Sequence, residues 1–119
     1  MTHSRSELQK KAAALLADLD GKELKPKERM AIPPQLMPAQ DPKERIKNME
    51  EVAQGYTEEQ VIVEAMRCLQ CKSAPCVKSC PVQIDIGGFI SAAAAGNFQA
   101  SIDIIKKSSL LPAICGRVC

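Results

Sequence analysis

Residues 67–81 read Arg-Cys-Leu-Gln-Cys-Lys-Ser-Ala-Pro-Cys-Val-Lys-Ser-Cys-Pro, placing cysteines at 68, 71, 76 and 80 with Pro81 directly after the fourth. Soft thiolates delivered this closely by short turns are what an iron–sulfur cluster requires. A ferredoxin-type run has the form C-x2-C-x2-C-x3-C-P, in which the cysteine before proline serves a different cluster from the other three. Here the middle spacing is four residues, and the two additional positions include Pro75, which can hold a wider loop. Two further cysteines, Cys115 and Cys119, close the sequence as CGRVC, and residues 1–67 contain none. Four thiolates could also close one tetrahedral zinc site, although zinc sites usually come as two knuckles with a long spacer. Six cysteines could form three disulfides, but no secretory context supports that reading.

The surroundings suit a cluster. The stretch Gln70–Val82 offers backbone N–H donors because its prolines forbid a long helix, and Ile84, Ile86, Phe89, Ile114 and Val118 can form an apolar shell. Arg67, Lys72, Lys78 and Arg117 flank the cysteines and could offset cluster charge. The plain alternative is solvated surface for the cations and ordinary helix packing for the aliphatics.

Working outward, the pattern is helical. A helix over about 7–20, capped by Ser4 or Ser6, carries Leu8, Ala12, Leu15, Leu16 and Leu19 on one face and ends at Gly21. Residues 22–42 contain Pro26, Pro33, Pro34, Pro38 and Pro42 and predict an extended arm without regular helix. Asp41-Pro42-Lys43-Glu44 is a helix start, with a helix to about Ala53 burying Ile46, Met49 and Val52 or Ala53. Thr57-Glu58-Glu59-Gln60 is a capping box opening a helix to about Leu69, with a stripe of Val61, Ala65, Met66 and Leu69. Lys72–Gln83 allows only short turns. Asp85 caps a helix carrying Ile86, Phe89, Ile90 and Ala93, Gly96 ends it, and Asn97 caps another with Phe98, Ile102 and Ile105. No strand alternation and no internal repeat is present. The expected fold is a small all-α domain with a Pro-rich N-terminal arm, divided as 1–40 for the first helix and arm and 41–119 for the cysteine-bearing helical domain.

The 119 residues allow one domain at most. Tyr56, Phe89 and Phe98 are the only aromatics, so the core rests on aliphatic side chains. Sixteen basic and 14 acidic residues, interleaved, give a net charge of +2 and no electrostatic case for nucleic acid. The polar start lacks a signal-peptide pattern and no apolar run approaches membrane length, so a cytoplasmic location is expected. His3, in that polar start, is expected to be disordered, and no acid, base or nucleophile is expected. The apolar helix stripes could also support a dimer.

RCLQC, APCVKSCPVQIDI, GGFISAAAAGNF and LPAICGRVC resemble the N-terminal iron–sulfur domain of the NADPH-dependent glutamate synthase small (beta) subunit. Dihydropyrimidine dehydrogenase and the large subunit of NADH-dependent ferredoxin:NADP oxidoreductase share this domain. The approach segment LMPAQDPKERIKNMEEVAQGYTEEQVIVEAMRC is similar to that of glutamate synthase-like members, so the resemblance covers about residues 36–119. It implies an α-helical domain with two 4Fe–4S clusters that passes electrons between a following flavin domain and a partner active site. By motif, Cys68, Cys71 and Cys76 would hold one cluster, and Cys80 and Cys119 would share in the second, with the remaining ligands downstream. Cys115 is generally not a ligand in the family and enters only as a substitute in a makeshift site, as could Cys80 or Cys119. FAD and NADPH would bind in later domains, the glutamate synthase large subunit or its equivalent would be the partner, and the sequence reads as a fragment. Gly87 stands where many members have Pro, and Ser108-Ser109 replaces Asp-Asn, which implies altered local stability rather than lost ligation.

Overall fold

A computed structural model describes residues 4–119; His3 lies outside the described residues. The chain is all-α. Among the described residues eight helices follow one another: α1 Arg5–Leu19, α2 Pro26–Ala31, α3 Pro42–Arg45, α4 Glu58–Met66, α5 Pro75–Ser79, α6 Ile86–Ala94, α7 Phe98–Lys106 and α8 Pro112–Val118. Among the described residues β structure is limited to an isolated antiparallel bridge between Ala39 and Ala53.

The expected caps set the long helices. Thr57 Oγ1 accepts from the Gln60 amide and the Gln60 side chain accepts from the Thr57 amide, closing the capping box of α4. Asp85 accepts from the Gly88 amide at the head of α6, and Asn97 accepts from the Ala100 amide at the head of α7. Gly96 takes φ +73° between them, a turn that only a residue without Cβ enters freely. α4 is central: α1 packs against it, α6 packs against it, and α7 packs on α6. The helices meet through small side chains, with Ala12, Ala65, Ala93 and Ser101 all buried beside Leu8 and Val63.

Three expectations about elements need correction. The helix expected to reach Ala53 stops at Arg45, leaving Ile46 and Met49 exposed. Asn48 takes over there: its amide donates to the Glu44 carbonyl and its oxygen accepts from the Glu50 amide, a local bonding that competes with helix. Gln40 N–H then bonds to Val52 C=O and Gln54 N–H to Pro38 C=O, folding 38–54 into a closed loop. The arm is not wholly extended, because α2 forms within it, and the cysteine loop and the tail contain α5 and α8. Each of these three starts with proline in its first turn, where the missing N–H costs nothing. The stripe expected on α4 is also only partly buried. Gln60, Val63 and Ala65 are enclosed while Leu69 is 41% exposed, because α4 is packed from two sides and by the arm.

No helix among the described residues is long and apolar enough to cross a membrane.

Candidate iron–sulfur ligand site

The first ligand candidate, Cys68, follows the last turn of α4. Its N–H bonds to the Ala65 carbonyl at 3.1 Å, and its half-buried thiol lies 3.5 Å from Gln70 Nε2. The same Gln70 amide reaches the Gly87 carbonyl at 3.4 Å, tying the cysteine loop to the head of α6. Gln70 has φ +51° and Ala74 has φ +38°, so the backbone reverses on both sides of Cys71. These left-handed turns leave Cys71 exposed and deliver Cys76 in the first turn of α5, also exposed. Cys80 caps the end of α5.

Cys80 has a distinct environment. Gln83, at φ +49°, turns the chain back, and its N–H bonds to the Cys80 carbonyl at 3.0 Å. Backbone N–H groups of the following turn, Ile84's foremost and then Val82's, hold the Cys80 thiol pKa below the usual cysteine value despite some opposing desolvation.

Cys115 lies in α8, and its Sγ is 3.6 Å from the Oγ of Ser109, which precedes the helix. Cys119 caps the helix one turn later, its N–H on the Cys115 carbonyl, and its thiol is exposed. Arg117 between them grips Glu51 with two bonds, Nε to Oε1 at 2.7 Å and Nη2 to Oε2 at 3.1 Å.

All six cysteines are free thiols. Among the described residues no three of the thiols, carboxylates and imidazoles converge into one metal-binding group. The structure therefore places Cys68, Cys71, Cys76 and Cys80 in a single loop without closing them into a ligand set. The donor chemistry fits a cluster: soft thiols on tight turns, with a side-chain amide donor beside Cys68. Of the flanking cations, Arg67 is engaged elsewhere, donating to the Ile32 carbonyl and pairing with Glu64. Two contributors carry no sequence signal. One is Gln70, and the other is Arg29, whose Nη1 donates to the carbonyls of Met66 and Cys68 at 2.9 and 3.2 Å.

A family model described as dihydropyrimidine dehydrogenase domain II, 4Fe-4S cluster, matches residues 45–119. The chain belongs to that family. The match contains all six cysteines, and the 4Fe–4S cluster is the group the family domain carries. Among curated relatives, an NAD-dependent dihydropyrimidine dehydrogenase subunit, PreT, of Salmonella typhimurium is 41% identical over 71 residues, which is 60% of this chain and 17% of that protein. The Escherichia coli K12 subunit of the same name is 39% identical over the same length. The chain thus spans about a sixth of the length of these relatives, 17% in each case. The resemblance read from the cysteine motif lies within this 4Fe–4S domain family.

Proposed function

We propose that this chain is the electron-relay domain of an NAD(P)H-linked flavin oxidoreductase of the glutamate synthase small (beta) subunit type. In this reading Cys68, Cys71 and Cys76 hold one 4Fe–4S cluster. Cys80 and Cys119 share in a second, and the remaining ligands lie beyond these 119 residues. Residues 1–40 serve as a packed arm and 41–119 as the cluster domain. A bound cluster supplies one-electron transfer without proton chemistry. The residues bind and tune: the cysteines would ligate, the backbone N–H groups of Ile84 and Val82 lower the Cys80 thiol pKa, and Gln70 donates toward Cys68. FAD and NADPH bind other domains of the whole protein, and a large subunit making glutamate from glutamine and 2-oxoglutarate receives the electrons.

The observation that carries the relay reading is the match of residues 45–119, which hold all six cysteines, to a 4Fe–4S cluster domain. Two cysteine environments on one loop agree with the ferredoxin rule, in which the cysteine before proline serves another cluster. The approach segment 36–67 supports the glutamate synthase type. A second reading, a pyrimidine-reducing type, is favoured by the PreT relatives at about 40% identity. A ferredoxin:NADP oxidoreductase type is the third member of the same class.

Anaerobic purification followed by iron and acid-labile sulfide analysis tests the relay reading. The expected result is iron and sulfide in equal amounts, with broad absorption near roughly 400 nm that bleaches with dithionite. Cys71→Ser should lose part of both. Zinc near one equivalent without sulfide would instead establish a zinc-stabilised helical module. Within the relay reading, NADPH-driven glutamate formation against dihydropyrimidine turnover or ferredoxin reduction separates the types.

A further inference from the structure

The family match begins at residue 45, yet the backbone of the first ligand candidate is held from outside it. Arg29 lies in α2, in the N-terminal arm. Its Nη1 donates to the Met66 carbonyl at 2.9 Å and the Cys68 carbonyl at 3.2 Å, and its Nε donates to the Leu24 carbonyl at 3.2 Å. These are carbonyls at the C-terminal end of α4, where the helix leaves acceptors unpaired and concentrates partial negative charge. The last turn of α4 has no basic residue of its own. Cys68 is consequently fixed on both sides, its N–H on Ala65 and its C=O on Arg29.

The rest of the arm is fastened to the same helix, so Arg29 is held and not merely tethered. Arg67 Nε donates to the Ile32 carbonyl at 3.1 Å, and the Gln35 amide donates to Glu64 Oε2 at 2.8 Å. Gln60 Nε2 donates to the Leu36 carbonyl at 2.8 Å, and Ile32 is buried. A guanidinium is permanently charged, and here it is partly buried, so solvent screens it less than a surface lysine.

We propose that Arg29 is a positioning and potential-setting residue for the cluster held by Cys68, Cys71 and Cys76, supplied by the arm from outside the family domain. The inference rests on the relay reading above. One-electron reduction adds one negative charge to the cluster and its thiolates. A fixed positive charge on the backbone of one ligand favours that reduced form and raises the midpoint potential. Neutralising Arg29 therefore makes the cluster harder to reduce.

The test is a dithionite titration, followed by electron paramagnetic resonance, of the intact protein purified anaerobically, with Arg29→Gln and Arg29→Lys beside the wild type. The signal of the first cluster is the one that Cys71→Ser abolishes. Arg29→Gln keeps a neutral donor and should shift that midpoint to more negative potential, while Arg29→Lys keeps the charge and should stay near the wild type. Equal midpoints in all three proteins, an equal shift in both variants, or a positive shift in Arg29→Gln would overturn the proposal. If Arg29→Gln takes up no iron, loading of Arg29→Lys at the wild-type potential supports the role of the charge. Failure of Arg29→Lys to load, or loading at a shifted potential, overturns it. A wild type without iron and sulfide would instead defeat the relay reading itself.

Discussion

Gln60 has no solvent-accessible surface, and both ends of its amide are used. Oε1 accepts from the Thr57 amide and Nε2 donates to the Leu36 carbonyl, so one side chain closes the α4 cap and fastens the arm. Gln60→Leu fills similar space but strands an N–H and a C=O in a poorly hydrated place. Each stranded group costs about 1–3 kcal/mol, so a loss of about 2–6 kcal/mol is expected in a urea melt of the metal-free protein. A loss below about 0.5 kcal/mol, the range of an ordinary surface change, would show that water replaces both bonds. The cap itself was legible in the sequence as Thr-x-x-Gln, but the second bond was not. Nothing in residues 57–60 says that the glutamine is enclosed, since a polar residue in a first helical turn is normally solvated. Cys80 shows the same division: Cys-Pro marked it as different from its neighbours, whereas the lowering of its thiol pKa by the backbone after it depends on the left-handed turn at Gln83.

At the scale of elements, proline decided which helices were legible. Pro42 was read as a helix start because Asp41 and Glu44 flank it, and that start is present, with Asp41 accepting from the Lys43 amide. Pro26, Pro75 and Pro112 open helices in the same way but lack a flanking Asp or Ser, so they read only as breakers. The last of these matters most, since α8 carries Cys115 and presents Cys119. Among the described residues, α8 is tied by a side-chain ion pair of Arg117 with Glu51, both more than half exposed. The Glu51 carboxyl is held below its usual pKa, first by the hydrogen bond from Arg117 and then by its charge. A carboxylate depressed on folding contributes stability above its unfolded pKa and loses it as pH falls through the folded value. Docking of α8 should therefore be constant near neutrality and weaken in acid below the ordinary carboxylate range. Amide exchange across 112–118 followed from neutral to acidic pH checks this. Arg117→Gln should exchange faster at neutral pH and lose the acid dependence, and added salt should shrink the difference. An unchanged pH profile in Arg117→Gln would assign the protection to the helix alone.

The whole molecule is thin for its length. Its radius of gyration is 15.6 Å, against about 13.5 Å for a compact chain of this size. The buried apolar set is correspondingly small: Leu8, Ala12, Ile32, Val63, Ala65 and Ala93, three of them contributed by residues before the family-matched region. With so few enclosed side chains, stability depends on the arm as well as on helix packing. Leu8 and Ala12 of α1 are buried in the helix that packs on α4, and Ile32 is buried in the stretch that receives Arg67. These contacts join residues 24–39 positions apart through side chains reaching backbone carbonyls, a pairing with no periodicity to betray it. The sequence therefore revealed an all-α domain and its long helices, but presented the arm only as an extended stretch, lying on another surface or linking the first helix to the rest. Deleting residues 1–36 should then expose Val63 and leave the Met66 and Cys68 carbonyls without their donor. The expected outcome is a broad, low-amplitude thermal transition with helical circular dichroism partly retained, in place of a cooperative melt. Adding ferrous iron and sulfide anaerobically should recover less cluster than in the intact chain, because metal binding must then also drive the folding that the arm otherwise supplies. A deletion variant that melts cooperatively at the intact protein's midpoint, and loads equally, would show that residues 45–119 fold and bind without the arm.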